Sequence, residues 1–356
     1  MLTIPVQKCL QKKSKPPSQE LGFGQYFTDH LFQVRYSPSK GWHQAEILPY
    51  QHFQIDPGAA VLHYGQALFE GMKAFRQKNG DCVLFRPEYN CRRLQQGAAR
   101  LCMEAPPTEL MMAGIRELVK LEKDWIPQDK GCSLYIRPTL IGTEAFLGVR
   151  PSNEYLFYVI LSPVSSYYKE GLNPISIWVE EKYLRAAPGG LGATKAGANY
   201  AASLLAALEA KKKGYAQVLW LDVNHQHIEE VGTMNVFFVI GDEILTPSLD
   251  GSILAGGVRD CTLQLLRKWG LRIAERRLEM NEVLQALQNG SLKEAFGTGT
   301  AAVISPIGKL RYQEKDWILN DQKIGPLAQR LYNEITAIQS GEVEDSFDWL
   351  EKIESR

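Results

Sequence analysis

Several features are scarce in these 356 residues, and each absence narrows the function. Charge of one sign is missing: forty basic and forty acidic side chains cancel. No whole-chain field would recruit nucleic acid or an acidic membrane surface. No run approaches the ~20 apolar residues of a membrane span. The six cysteines, at positions 9, 82, 91, 102, 132 and 261, form no Cys-x-x-Cys pair and no zinc spacing. They read as reduced, mostly buried thiols in a reducing compartment, and no metal site is expected. The first nineteen residues carry Lys8, Lys12, Lys13 and Lys15 but no arginine and no long apolar run. That matches a secretory or organellar signal poorly. A flexible basic arm packed on a partner subunit, in a cytoplasmic protein, is the expectation. No internal repeat or low-complexity tract is present.

What remains is ordinary for a soluble enzyme: 45% hydrophobic and 22% charged residues, enough chain for about two domains of ~150 residues. VRYSPSKGWHQAEI reads as two strands around a Ser-Pro-Ser-Lys-Gly turn. Residues 87 to 103 open on proline and continue at helical spacing, and 109 to 126 form a second helix. CSLYIRPTLIG and NEYLFYVILS are β-branched and aromatic strands. A Pro/Ser/Gly cluster follows Ser162. The expected division is therefore a smaller domain over 1–162, a linker over 163–174 and a larger domain over 175–356. In the second half, ISIWVEEKY and YAQVLWLD read as strands, with the helix NYAASLLAALEAKKKG between them. TMNVFFVIGDEILTP is a hairpin turning at Gly-Asp. Helices are expected at 258–269, 279–289 and 325–340, the last closed by Gly341. The fold class is α+β, two domains with mixed sheets.

One lysine lies in an unusual place. GGLGATKAGANY sets Lys195 among alanines and glycines, just before a helix, and Gly189, Gly190, Gly192 and Gly197 let backbone approach a ligand closely. A desolvated lysine has a lowered pKa, and its neutral amine attacks carbonyls to form a Schiff base. A solvated loop lysine is the plain alternative. The largest user of the Schiff-base chemistry is pyridoxal phosphate (PLP), which also needs a phosphate cradle and a partner for its ring nitrogen. SILAGGVRDCTLQLLRKWG places Gly256-Gly257 before a helix, whose leading N–H groups favour an anion. FGTGTAAVISP is a second turn, with the hydroxyls of Thr298 and Thr300. HIEEVGTMN offers Glu230 as an acid for a ring nitrogen. Each has an ordinary reading as a turn, a loop or an exposed acid. Their joint presence in one half of the chain gives them weight.

LFEGMKAFR, SLYIRPTLIGTE, TKAGANY, EEVGTMN, ILAGGVRD and FGTGTA occur in the order seen in branched-chain-amino-acid aminotransferases. The chain resembles that family from GFGQYFTDH onward, within the wider fold-type-IV PLP enzymes, whose D-amino-acid-aminotransferase-like fold is the one implied. The resemblance implies that Lys195 holds PLP covalently and moves the α-proton. It implies that Tyr200 bonds the phenolic oxygen, that Glu230 binds the ring nitrogen and that Thr233 lies near the phosphate. Arg93 would bind the phosphate, with main-chain help from Gly257, Val258 and Thr300. Thr300 and Ala301 would present N–H groups to the substrate carboxylate. Phe69, Tyr135 and Arg137 would shape the side-chain pocket, with Tyr64 nearby. A loop carrying Leu147 and Val149 would complete the pocket of a neighbouring subunit, implying a homodimer.

The implied reaction is transamination of L-leucine, L-isoleucine and L-valine with 2-oxoglutarate, giving branched 2-oxo acids and L-glutamate. Animal members carry a Cys-x-x-Cys pair just after the GTGT-type turn. Here Ala302 and Ser305 take those places, which suits a bacterial-type enzyme without that redox control. The alternatives are a D-amino-acid aminotransferase or an aminodeoxychorismate lyase of the same fold, or a non-catalytic module that binds a phosphate ligand.

Overall fold

The computed structural model describes residues 3–165 and 172–354. The chain forms two compact units. One comprises Met1–Tyr167, Thr194–Ala198 and Ala337–Arg356, the other Tyr168–Ala193 and Asn199–Thr336. Residues 166–171 of the expected linker lie outside the described residues.

The first unit is built on β1 (His30–Ser37), β2 (Gly41–Pro49), α1 (Ala60–Tyr64), β3 (Ala67–Phe69), β4 (Met72–Arg76), β5 (Cys82–Phe85), α2 (Pro87–Arg100), α3 (Thr108–Leu121), β6 (Ser133–Gly142) and β7 (Tyr155–Val164). Its strand-to-strand ladders are antiparallel, and Val6 adds a parallel bridge to Ile47. β6 is the hub. It pairs β7 on one side; on the other it pairs β3 at one end and β4 at the other. Glu70 and Gly71 fill the break between those two short strands. β6 and β7 are buried along nearly their whole length rather than on alternate residues, as strands covered on both faces are. α2 starts with Pro87 at its first turn, where the missing N–H is no loss. Its buried line, Asn90, Arg93, Leu94, Gly97 and Ala98, follows helical spacing but includes two polar side chains.

Two expectations change here. The arm of residues 5–15 packs on this unit's own sheet: Ile47 N–H donates to Pro5 O, Gln7 N–H to Ile47 O, and Lys13 Nζ to Thr28 O. An extended chain with free backbone groups gains ladder bonds by lying along a strand edge. The C-terminal residues, expected with the second domain, go with the first. Their strand Leu350–Ile353 pairs antiparallel with β5, the edge left open by the β4–β5 hairpin.

The second unit holds β8 (Ile175–Val179), most of α4 (Gly197–Lys212), β9 (Gln217–Leu221), β10 (Ile228–Val231), β11 (Asn235–Ile240), β12 (Glu243–Thr246), α5 (Gly257–Lys268), β13 (Arg272–Glu275), α6 (Met280–Gln288), β14 (Leu292–Gly299), β15 (Val303–Tyr312), β16 (Lys315–Ile318) and most of α7 (Pro326–Ser340); the C-terminal strand is β17. The sheet order is β10-β9-β8-β15-β14-β11-β12-β13, with β16 on β15. β8 runs parallel to both β9 and β15, and β12 to β13, so this sheet is mixed. Its core gathers Leu219, Val236, Phe238, Leu245 and Leu310 from the strands and Val283 from α6. No described helix is long and apolar enough to cross a membrane. None of the six cysteines enters a disulfide.

Candidate active site

Lys195 lies in the short segment Thr194–Ala198, which joins the first unit's sheet. Phe69 N–H donates to Lys195 O at 3.1 Å, and Ala196 forms a bridge with Leu68. The side chain of Lys195 runs over the Phe69 ring, with Nζ 4.9 Å from its centroid. Burial pushes the amine's pKa below the ordinary lysine value, the positive charges of Arg93 and Arg137 push the same way, and Glu70 and Tyr135 oppose them. A neutral amine is what nucleophilic and proton-transfer roles require.

Arg93 projects from the buried line of α2 onto Glu70. Nε bonds Oε1 and Nη2 bonds Oε2, both at 2.7 Å. Asn90 Nδ2 adds a bond to Oε2 at 2.8 Å. The pair is almost fully enclosed, at 9% and 1% exposure. Burial pushes the Glu70 carboxyl up, but the Arg93 charge and bonds outweigh it and leave it below the usual range. Glu70 was invisible as a site residue in the sequence. The available signal was an acid followed by glycine, interrupting an apolar strand run.

Arg137 stacks over Phe69 at 4.6 Å and over Tyr135 at 5.1 Å, and its Nη2 donates to Tyr135 Oη at 3.1 Å. Its Nε is buried without a hydrogen-bond partner. Tyr135 passes so close to residue 71 that a Cβ there would lie 1.9 Å from Oη, so only glycine fits. Phe23, not anticipated, meets Tyr135 edge-on at 4.9 Å. Phe69, Tyr135, Arg137, Lys195, Arg93 and Glu70 thus form one cluster in the first unit. Tyr64 stands apart: it is exposed and bonds the carbonyl of Leu147. Leu147 and Val149 are themselves exposed, on a loop braced by two bonds between Arg150 and Glu144.

The second unit brings three motifs together. Glu230 on β10 accepts the Leu254 N–H at 2.8 Å and lies 3.2 Å from Arg185. Asn235 Nδ2 donates to Leu254 O at 2.8 Å, holding the ILAGG segment from a second side. β11 pairs β14 with Asn235 opposite Thr298, and the Met234 side chain packs on Gly297 and Gly299. α5 begins at Gly257 with Gly256 as N-cap and no side-chain cap. Such a helix start presents N–H groups and a partial positive charge to an anion. Val258 is buried on that first turn, Thr233 is exposed in the β10–β11 turn, and Thr300 and Ala301 are half-buried in the β14–β15 turn. Thr298 Oγ1 is buried without a hydrogen-bond partner. Tyr200 is half-buried on α4.

Arg185 carries no local signal in the sequence. Its Nη2 donates to Gly192 O at 3.1 Å and to Ser252 O at 2.5 Å. Gly192 was expected to let backbone approach a ligand. In fact the Ser252 carbonyl fills the space: a Cβ at 192 would lie 2.0 Å from that oxygen.

The model of the family Amino-transferase class IV matches residues 67–310. Branched-chain-amino-acid aminotransferase 2 of Bacillus subtilis (strain 168) is 49% identical over 352 residues, covering 99% of this chain and 97% of that protein. Among solved structures, the Escherichia coli branched-chain amino acid aminotransferase superposes with a TM-score of 0.77 at 26% identity, covering 92% of this chain and 99% of that one. The branched-chain amino acid aminotransferase of T.th., solved with pyridoxamine 5'-phosphate, gives 0.76 at 23% identity, covering 91% and 98%. At that identity the likeness speaks for the fold.

Proposed function

The chain belongs to the class IV aminotransferases, and from that premise we propose that it transfers the amino group of L-leucine, L-isoleucine and L-valine to 2-oxoglutarate, using PLP held by Lys195. One observation carries the residue assignment: the Lys195 amine, its proton affinity lowered by burial and two arginines, emerges beside the aromatic and cationic cluster of Phe69, Tyr135 and Arg137.

The residues suit that cofactor. Lys195 supplies an amine whose uncharged form is favoured by burial, and Glu230, fixed by Leu254 N–H and Arg185, supplies an oriented carboxylate for the ring nitrogen. The α5 start at Gly257 and Val258, with Thr233 and Thr300, supplies anion donors for the phosphate. Arg93, in the first unit, is a planar cation suited to an oxyanion such as a phosphate, and Tyr200 serves the phenolic oxygen. When bound, PLP supplies a carbonyl that accepts the amino group and a ring that spreads the charge left at the substrate Cα.

The chain does the rest. Lys195 Nζ takes the proton from the substrate Cα and returns it on the other side of the exchange. The N–H groups of Thr300 and Ala301 hold the α-carboxylate. Phe69 and Tyr135 offer apolar area to branched side chains, where each methylene is worth ~1–3 kcal/mol of discrimination. Arg137, with an unsatisfied Nε, is the handle for the second carboxylate of glutamate and 2-oxoglutarate. Exposed Leu62, Leu147 and Val149 in one unit, and Leu204, Leu205 and Leu208 on α4 in the other, support a homodimer in which the Leu147–Val149 loop and Tyr64 serve the neighbouring pocket. Six cysteines with no disulfide among them support a reducing compartment, the cytoplasm.

The test is spectroscopic and chemical. PLP-loaded protein treated with borohydride should carry the label on Lys195 in a peptide map. L-leucine with 2-oxoglutarate should yield the branched oxo acid and glutamate. Activity with D-alanine but not L-leucine would replace this reading with a D-amino-acid aminotransferase.

A further inference from the structure

Glu229 and Glu230 are neighbours on β10, and neighbouring side chains on a regular strand point to opposite faces. Here the register against β9 slips between Ile228 and Glu230, the signature of a bulge that re-aims a side chain. Both carboxylates are buried, at 4% and 3% exposure, and one guanidinium, that of Arg185, acts electrostatically on both. Arg185 is itself anchored to the carbonyls of Gly192 and Ser252. Glu229 Oε1 accepts the Ser252 hydroxyl at 2.6 Å, and its Oε2 has no partner. Leaving a buried carboxylate oxygen unsatisfied is costly. An amide would take the same serine bond without the charge, so the charge itself calls for a use.

We infer that Arg185 and Glu229 form a compensating charge pair that positions Glu230 and sets how tightly its carboxylate holds a proton. The inference rests on the reading of Glu230 as partner of the cofactor's ring nitrogen. Arg185 favours the ionised form of Glu230, so that the proton between carboxylate and ring stays on the ring. Glu229, a like charge behind the same guanidinium, opposes it. The other charged or titratable groups around Glu229 are Asp250, which shares the Ser252 hydroxyl at 2.9 Å, and Asp222, His227 and Arg277, which line a small cavity with it. Burial pushes the Glu229 carboxyl up to about 7, with Asp250 and Glu230 adding to the rise and Ser252 and Arg185 restraining it. Near neutrality the balance is therefore adjustable. Both are positioning residues, since they act through Glu230.

Enzyme loaded with PLP carrying 15N in the ring reports the proton's position through the nitrogen chemical shift. Arg185→Met should move the signal toward the unprotonated ring and weaken PLP binding by about tenfold, the factor equivalent to 1.4 kcal/mol. Glu229→Gln should move the signal the opposite way or hold it fully protonated across pH 6 to 8, where the wild-type signal drifts. The double variant should return close to wild type. If both single variants merely lower the melting temperature, additively and with the 15N signal fixed, the pair is structural and the inference falls. If Arg185→Met does not fold, Glu229→Gln decides alone: a signal that still drifts with pH as in wild type overturns it. Glu230→Gln separates the two readings. A signal it does not move removes the site assignment and the pair together, whereas a signal that responds to Glu230→Gln but not to the other variants removes only the pair.

Discussion

Arg93 grips Glu70 through two parallel hydrogen bonds of 2.7 Å, inside a setting where neither side chain is more than 9% exposed. Removing one partner of such a pair strands a charge, at ~3–5 kcal/mol. Glu70→Ala should therefore lower the urea midpoint sharply and weaken PLP binding, because Arg93 loses the group that aims it. The Glu70 carboxyl sits below its unfolded value, so its stabilisation is full at neutral pH and fades as acid carries the pH down through the folded value. In Glu70→Ala, that acid-side loss of stability should be smaller. Chemical denaturation at pH 7 and pH 4 checks both statements.

Lys195→Met should remove activity while leaving the cofactor-free protein more stable than wild type. The folded state disfavours the ammonium, so at neutral pH the lysine costs stability that methionine does not. Loss of the proton carrier should cut turnover by roughly a hundredfold to ten-thousandfold, or more with the covalent link gone. Calorimetry of the apoprotein and an end-point assay suffice.

Arg137→Met should separate the two substrates. The KM for 2-oxoglutarate should rise by about ten- to a hundredfold, equivalent to ~1.4–2.8 kcal/mol, while that for L-leucine changes little. Equal losses for both would remove the assigned role of the Arg137 guanidinium.

Gly71→Ala introduces a methyl 1.9 Å from Tyr135 Oη and 2.8 Å from Cζ. Tyr135 must swing away and surrender its bond from Arg137. Overpacking of this kind costs ~1–3 kcal/mol, and the substrate KM should rise even in protein that folds. Leucine and 2-oxoglutarate kinetics alongside a thermal melt provide the check.

Glu229→Gln carries a pH signature in stability as well as in the cofactor. A carboxyl raised to about 7 binds more protons folded than unfolded. Wild-type stability should therefore decline as pH rises from the ordinary carboxylate range toward 7, and the variant should escape that decline. The variant's melting temperature should exceed wild type's at pH 8 and converge with it at pH 5.

The sequence disclosed elements with strong periodicity. The hairpin at Gly241-Asp242 and the helix ending before Gly341 lie where turn chemistry put them. The family emerged from ordered blocks such as TKAGANY and EEVGTMN. Hidden were the partners joined only by folding. Glu70 and Arg93 are 23 positions apart, and Arg185 and Ser252 are 67 apart. No local pattern links residues so separated. The N-terminal arm's attachment was hidden because its lysines advertise solvent exposure, whereas backbone bonds to Ile47 tie it to the sheet. Gly192 was legible as a tight spot, but not that a carbonyl rather than a ligand occupies it.

β17 gives the chain a particular order of assembly. Residues 350–353 supply the strand beside β5, and a ribosome releases them after everything that precedes them in the sequence. Until then the early sheet presents an unsatisfied rim, open to adventitious pairing. Closing it links segments some 265 positions apart, as between Phe85 and Leu350, and such distant closures slow folding. Nascent chains stalled short of β17 should be the form most in need of chaperones.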